Sequence, residues 1–394
     1  MHRVYEVLIL NQISQLGLRR FPEDRYRVSK DAGKPDAILL RSHDMHGMSV
    51  PDSVQAVGRA GAGTNNIPVK EFSERGVPVF NAPGANANAV KELVLAGMLM
   101  AARNLVPAMR FVDSLSGPFE VLQKKVEDGK KQFAGIELPN HTLGVIGLGK
   151  IGSLVADAAI KLGMNVLGYD PEITVDAAWS LPAQVRKANS IDEILKVSHF
   201  VTLHVPLLDH TKHLINARNL EQLRSGAIVL NFSREGIVDV NAVSAALAAH
   251  RMKYYVTDFP APELMGTPGV IALPHLGAST REAEDNSAVM VVEQVRDYLE
   301  HGNVQNAVNF PDVVMPREAP FRLGIANANV PNMVGQISGA LAKDGLNIHN
   351  MMNRSKRDMA YTLVDTDSPA SASLISGLSD IKGVLAVRYL PLET

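Results

Sequence analysis

Eleven residues, "TLGVIGLGKIG" (142–152), constrain this chain more than any other stretch. "TLGVI" (142–146) reads as a buried strand. "KIGSLVADAAIKL" (150–162) reads as a helix, with apolar residues at helical spacing and Gly163 as its stop. Between them Gly147, Gly149 and Gly152 spell G-x-G-x-x-G. In that setting glycines let the backbone approach a pyrophosphate, whose charge meets the helix N-terminus. The next strand, "NVLGYD" (165–170), ends on Asp170, 18 positions beyond Gly152. Its carboxylate can accept hydrogen bonds from ribose hydroxyls and would repel a 2′-phosphate, and Pro171 adds no cation. The pattern predicts NAD rather than NADP. The competing reading is a tight strand–helix turn with no ligand, and the acidic strand end argues against it.

The same rhythm runs along most of the chain. Strands are expected at "YEVLIL" (5–10), "AILL" (37–40), "QAVGR" (55–59), "VPVF" (77–80), "FVTLHV" (200–205), "AIVLNF" (227–232), "YYVTDF" (254–259) and "VIAL" (270–273). Helices are expected at 88–105, 240–250 and 281–302, and after Ser190, which forms a capping-box pattern with Glu193. Apolar strands alternating with helices make an α/β chain of doubly wound parallel sheets. "NAVNFPDVVMPREAP" (306–320), with three prolines and no periodicity, reads as a linker. The tail then reads strand 322–327, helix 332–344, strands 347–352 and 359–365, helix 368–378 and strand 384–389. That is a βαββαβ, ferredoxin-like unit. It is small for a second catalytic core and better suited to sensing or assembly.

Composition removes other classes. A length of 394 residues suggests two or three domains. The net charge of −2 and the lack of a basic segment predict no nucleic-acid partner. Without cysteine there is no disulfide, thiolate metal site or cysteine nucleophile, and no metal is expected. Apolar runs fall short of the ~18 residues of a membrane span. "MHRVYEVLIL" lacks the features of a signal peptide. The expectation is a cytoplasmic protein with no membrane partner.

Open α/β sheets bind ligands at the C-terminal ends of their strands. Three polar positions follow late strands: Arg234 in "NFSREG", Asp258 and Glu263 in "TDFPAPE", and His275 in "LPHLGAST". Hydride transfer from a 2-hydroxy acid needs a base for the hydroxyl proton, and a neutral histidine suits that role. A carboxylate beside it would fix its tautomer and stabilise the imidazolium. A planar cation suits the substrate carboxylate. His275, Glu263 and Arg234 supply one of each. Singly each reads as an ordinary loop residue; their joint position downstream of the glycine motif favours chemistry.

"ELPNHTLGVIGLGKIG", "LHVPLLDHTKHLIN", "LNFSREGIVD", "DFPAPE" and "LPHLGAST" together resemble the D-isomer-specific 2-hydroxyacid dehydrogenase family, over about residues 1–310. The resemblance implies NAD and an Arg234–Glu263–His275 triad. It implies a discontinuous, flavodoxin-like substrate domain (1–102 and 276–310) with a Rossmann NAD domain (103–275) inserted. Lys150 and Ile151 should meet the pyrophosphate, and Ala82 and Val205 should approach the dinucleotide. Phe232, Ser233 and Asp258 should lie beside the nicotinamide end, with Leu276, Gly277 and Ala278 after His275. "LLRS" (39–42), "VGRAGAGTNNI" (57–67) and "NAPGANANAVKEL" (81–93) are similar to the family branch that oxidises 3-phospho-D-glycerate to 3-phosphohydroxypyruvate, the first step of serine biosynthesis. By that likeness Arg41, Ser42, Arg59, Gly61 and Lys91, with Arg234, are candidates for holding 3-phosphoglycerate. A homodimer or homotetramer is implied. Two departures are visible: "DFPAPEL" stands for the commoner D-V-F-x-x-E-P, and "NFSREG" for N-x-A-R-G.

After a linker at 311–320, residues 321–394 resemble an ACT domain, an amino-acid-sensing module. Asn327, Asn329, Pro331 and Asn347 match its serine-binding pattern in part. Asn327 stands where the pattern has histidine, and Asn332 where it has glycine. Serine is the implied effector, with a purely structural or dimerising module as the alternative. Two other functions remain open at this point. One is another 2-hydroxyacid dehydrogenase, such as a glyoxylate or hydroxypyruvate reductase. The other is an NAD-sensing binding protein of the same fold.

Overall fold

The computed structural model describes residues 3–392; Met1, His2, Glu393 and Thr394, at the ends of the expected spans 1–102 and 321–394, lie outside the described residues. Strands β1 (Tyr5–Ile9), β2 (Tyr26–Ser29), β3 (Ala37–Leu40), β4 (Ala56–Arg59) and β5 (Val79–Phe80) form a parallel sheet in the order β2-β1-β3-β4-β5. That is the flavodoxin-like order. β3 is buried at every position, as a central strand covered on both faces must be. β2 is a half-exposed edge strand whose short apolar content gave no sequence signal; its pairing with β1 reveals it. β5 is shorter than 77–80 because Pro78 offers no N–H to the ladder.

The second sheet contains β6 (Thr142–Ile146), β7 (Asn165–Tyr169), β8 (Arg186–Lys187), β9 (Phe200–Leu203), β10 (Ala227–Asn231), β11 (Met252–Thr257) and β12 (Val270–Ala272). Its order is β12-β11-β10-β9-β6-β7-β8, and the pairs are parallel. The order reverses between β6 and β9, which creates a topological switch point at their C-terminal ends. The helix after Ser190 has half of the expected capping box. Ser190 Oγ accepts from the Glu193 N–H at 3.1 Å, but the Glu193 carboxylate bonds the N–H of Asn189.

The chain divides into two compact units, residues 87–280 and the remainder on either side. The inserted unit is wider than 103–275. The helix Ala87–Ala102 buries Val94, Met98 and Ala101 against Leu143, Val145 and Phe232 of the second sheet. A Cβ on Gly97 would stand 3.0 Å from the Phe232 ring, so this helix face lies close on that sheet. The helix Arg281–His301 belongs to the other unit, where Val291, Val295 and Leu299 share a core with Val7, Leu39 and Ala56.

The third sheet holds β13 (Phe321–Ala328), β14 (Ile348–Lys356), β15 (Met359–Thr366) and β16 (Val384–Pro391), antiparallel in the order β14-β15-β13-β16. With the helices Met333–Lys343 and Ala372–Ser379 it makes the expected βαββαβ unit. Ile337, Leu341, Leu374 and Leu378 cover one face through Leu323, Ile325 and Val364. The opposite face is not free. Ala326, Tyr361 and Leu363 enter the same core as Tyr5, Val7, Tyr298 and Phe310. The expected linker is irregular and packs alternate residues: Val313 is 0% exposed and Met315 4%, while Val314 between them is exposed. Arg322 holds it down. Its guanidinium pairs with Asp365, both fully buried, and donates to the carbonyls of His301, Met315 and Pro316. The tail is thus part of the first compact unit rather than a body on a tether. No helix among the described residues is long and apolar enough to cross a membrane.

Candidate active site

The glycine loop sits at the switch point of the second sheet. β6 ends at Ile146, and the helix Lys150–Lys161 opens directly after Gly149. Gly147 has φ +90°, and a Cβ there would lie 2.5 Å from the His204 carbonyl oxygen. A Cβ on Gly152 would lie 1.9 Å from the Gly147 carbonyl oxygen. Only glycine lets the helix start this close to the strand. At Gly149 the space for a Cβ is open, which leaves the helix N-terminus approachable. Asp170 follows β7 and does more than its sequence position suggested. Its Oδ2 accepts the Leu148 N–H at 2.8 Å and its Oδ1 the Glu172 N–H at 3.0 Å, so it also holds the loop. Each oxygen keeps a further lone pair for a ribose hydroxyl. Lys150 is exposed, and Ile151 and Val205 are half-buried beside the loop. These residues fit NAD: the loop and helix start suit a pyrophosphate, and Asp170 suits the ribose.

Three strand ends lie farther along the sheet. After β10, Phe232 is buried, and the Ser233 hydroxyl donates to the Leu203 carbonyl. Asn231 Oδ1 accepts the Ser233 N–H at 3.2 Å, and its amide donates to the Arg234 carbonyl at 2.9 Å. The turn carrying Arg234 is therefore pinned to β9 and β10, while the guanidinium is exposed and donates to the Ser233 carbonyl.

After β11, Asp258 is 0% exposed. Its Oδ2 accepts the N–H groups of Leu276 at 3.1 Å and Gly277 at 3.0 Å, and its Oδ1 is buried with no partner. Burial pushes this carboxyl above the usual aspartate range, opposed by the Gly277 N–H, the nearby His275 and the Leu276 N–H. A Cβ on Gly277 would sit 3.4 Å from that Oδ2, so this residue packs directly on the carboxylate. Leu276 is exposed and Ala278 half-buried.

After β12 comes His275, exposed, with its ring 4.7 Å from that of Phe259. Glu263 lies in the short turn Pro262–Leu264 and is exposed. Among the described residues, no hydrogen bond or ion pair joins Glu263 to His275. The structure thus ties the His275 loop to Asp258 and sets the His275 ring at a 51° tilt against Phe259, while the Glu263 carboxylate has no partner among the described residues. Phe259 was not singled out from sequence; its signal was an aromatic directly after the strand-end aspartate. His204 was also missed. Burial lowers its pKa to about 3, its Nε2 lies 3.0 Å from Thr202 Oγ1, and its buried Nδ1 has no partner.

Four of the substrate candidates form one connected group in the other unit. Arg41 Nη1 lies 2.6 Å from Glu284, and its N–H donates to Asn11, whose amide reaches Ser42 Oγ at 2.9 Å. Arg59 Nε donates to the Arg41 carbonyl at 3.0 Å. A Cβ on Gly61 would strike the Arg59 guanidinium at 1.9 Å, so that glycine makes room for it. Buried Ala82 donates its N–H to the Gly61 carbonyl at 3.0 Å. Lys91 belongs to the inserted unit and donates to Asn88 Oδ1. In the tail, the amides of Asn329 and Asn347 donate to the Arg357 carbonyl and to Asp367. Asn327 donates to the Ala328 carbonyl and leaves its buried Oδ1 without a partner.

Comparison with known proteins supplies a family. Residues 95–277 match the model of the D-isomer specific 2-hydroxyacid dehydrogenase, NAD binding domain. The chain is 32% identical over 353 residues to D-3-phosphoglycerate dehydrogenase of Haemophilus influenzae, covering 85% of this chain and 81% of the relative. It is 37% identical over 293 residues to the D-3-phosphoglycerate dehydrogenase of Methanocaldococcus jannaschii, covering 72% of this chain and 53% of the relative. The chain thus spans about half the length of that relative and of the one from Synechocystis. Among solved structures, the TT0316 protein of Thermus thermophilus matches with a TM-score of 0.62 and 25% identity, over 77% of this chain and 99% of that one. An NAD-bound 3-phosphoglycerate dehydrogenase of Entamoeba histolytica shares the fold, with a TM-score of 0.60 and 23% identity over 77% and 98% of the two chains. The glycine loop and its aspartate therefore lie in an NAD-binding domain, and the chain belongs to the D-isomer specific 2-hydroxyacid dehydrogenase family.

Proposed function

We propose that this protein oxidises 3-phospho-D-glycerate to 3-phosphohydroxypyruvate. The observation that carries the reading is the clustering of Arg234, Asp258 and His275 after the adjacent parallel strands β10, β11 and β12. The glycine loop and Asp170 would hold NAD, which would supply the acceptor for a hydride from C2 of the substrate. Arg234 offers its exposed guanidinium fork to the substrate carboxylate. His275 accepts the hydroxyl proton on a ring nitrogen as the carbonyl forms. Glu263, which has no partner among the described residues, is available to stabilise the imidazolium. Asp258 holds the His275 loop through two backbone N–H groups. For the substrate phosphate, Arg41, which faces Glu284 at 2.6 Å, and Arg59 are the candidates in the unit that holds the first sheet.

We also propose a homo-oligomer, either dimer or tetramer. Its support is the helices Leu105–Asp113 and Phe119–Gly129, which bury no residue and expose Met109 and Phe119 at 66% and 73%. Serine as an effector is supported by the unpartnered Asn327 Oδ1, an acceptor suited to an ammonium group.

The test is NADH formation with NAD and 3-phospho-D-glycerate, against D-glycerate and D-lactate, each with and without serine. Turnover confined to the phosphorylated acid supports the reading. Turnover of the unphosphorylated acids would point to another 2-hydroxyacid dehydrogenase, and no turnover to a binding protein of this fold. His275→Asn should lower kcat by about a hundredfold or more while leaving NADH affinity near wild type. Equal losses in both would remove His275 as the base.

A further inference from the structure

A cleft of about 610 Å³ lies where the end of β14 faces the loop after β5 and the segment 306–312. The hydride-transfer site does not use it. Arg354, Ser355 and Lys356 line it from β14, Asn81 from the loop, and Asp312 from the third side. Its charges do not balance. Asp312 is one carboxylate against two cations, and its Oδ1 already accepts the Asn306 N–H at 2.7 Å. Lys356 Nζ is fixed against the wall by the Ala307 carbonyl at 2.9 Å. Burial holds this ammonium below the usual lysine range, partly offset by Asp312, while Arg357 pushes the same way as burial. The Arg354 guanidinium makes no hydrogen bond or ion pair among the described residues. A free planar fork beside a partly desolvated ammonium is a receptor for an oxyanion. Ser355 and Asn81 add neutral polar groups at the rim.

We propose that this cleft binds a small phosphate, either the free ion or a phosphate monoester, and that the bound anion acts as an effector. The position supplies the means. Asn81 begins the segment that leads into the helix Ala87–Ala102, and its neighbour Ala82 bonds Gly61. An anion held by Arg354, Lys356 and Asn81 would clasp the tail sheet to that segment. Binding itself does not rest on the dehydrogenase reading; the effect on turnover does.

The experiment is calorimetric titration of the NADH-saturated full chain, which cannot oxidise the substrate, with inorganic phosphate and, separately, with 3-phosphoglycerate. Wild type is compared with Arg354→Gln and Lys356→Gln. Arg354 is exposed, so its variant should fold, and a thermal melt checks this. The expected result is one phosphate site per chain weakened about tenfold or more in Arg354→Gln, with the same direction in Lys356→Gln. Whether the binding that the variants weaken is that of the free ion, or only that of a monoester site beyond the one at the hydride-transfer site, tells the two sources apart, and either supports the cleft. Superimposable isotherms for wild type and both variants, or no binding to wild type, would overturn it. In phosphate-free buffer Arg354→Gln should keep the wild-type kcat and lose the response of KM to added phosphate. A wild type that binds the anion at this site without any change in kcat or KM would overturn the effector role alone.

Discussion

Asp258 Oδ2 accepts the Gly277 N–H at 3.0 Å, fastening the end of β11 to the loop that carries His275. Asp258→Ala leaves the Leu276 N–H and the buried Gly277 N–H without their acceptor, at a cost of about 1–3 kcal/mol. Asp258→Asn should be milder and informative about charge. The folded pKa of this carboxyl lies above its unfolded value, so the folded state holds its proton more tightly. Stability from this group therefore falls as pH rises through the carboxyl range. In denaturant titrations, the wild type should lose ground against Asp258→Asn as pH is raised through that range. A pH-independent difference would mean that burial does not govern this group.

Gly152→Ala puts a Cβ 1.9 Å from the Gly147 carbonyl oxygen, and backbone must move to admit it. The helix start would shift away from β6. NADH affinity should drop about tenfold or more, with about 1–3 kcal/mol lost in stability. Fluorescence titration with NADH and thermal melts read the two effects. Gly149→Ala, where a Cβ meets nothing, should retain the wild-type melting temperature and lose affinity only.

His204 makes a prediction about acid. Its folded pKa is about 3 against 6.5 for a free histidine, so the unfolded chain takes up a proton between those values and the folded chain does not. The contribution is fully present above pH 6.5 and fades as pH falls toward 3, by at most about 1.4 kcal/mol per pH unit. His204→Gln should flatten the acid limb of the stability curve relative to wild type. Parallel acid limbs would show that His204 protonates as easily folded as unfolded.

Arg322→Met strands the Asp365 carboxylate in the core and removes the donor to three carbonyls. A loss of about 3–5 kcal/mol is expected, and Arg322→Met with Asp365→Leu should recover part of it. Residues 311–320 should resist protease in the wild type and become cleavable in the single variant. Ready cleavage of the wild type there would contradict the packed linker.

Much of the architecture was legible because it is written in local patterns. "AILL" and "TLGVI" are buried strands whose bounds match the structure, and the glycine spacing with Asp170 marked the dinucleotide turn. Arg234, Asp258 and His275 stood out as candidates because each follows an apolar strand. β2 and β8 were missed because short edge strands carry little apolar signal. The helix Ala87–Ala102 was visible as a helix, but nothing local said which sheet its apolar face would cover.

Sequence alone determined the element types, the glycine loop and the acidic strand end, and it named the candidates for hydride transfer. Each depends on neighbours within a few positions, where periodicity and backbone sterics act. Tertiary structure decided which helices joined which unit, that Asp258 holds the His275 loop, and that the tail belongs to the first unit, held through Arg322 and Tyr361. Those outcomes depend on pairing residues far apart in the chain. Burial of a charged or polar group is tolerated only where a distant partner completes it, and local sequence does not encode that partner's position.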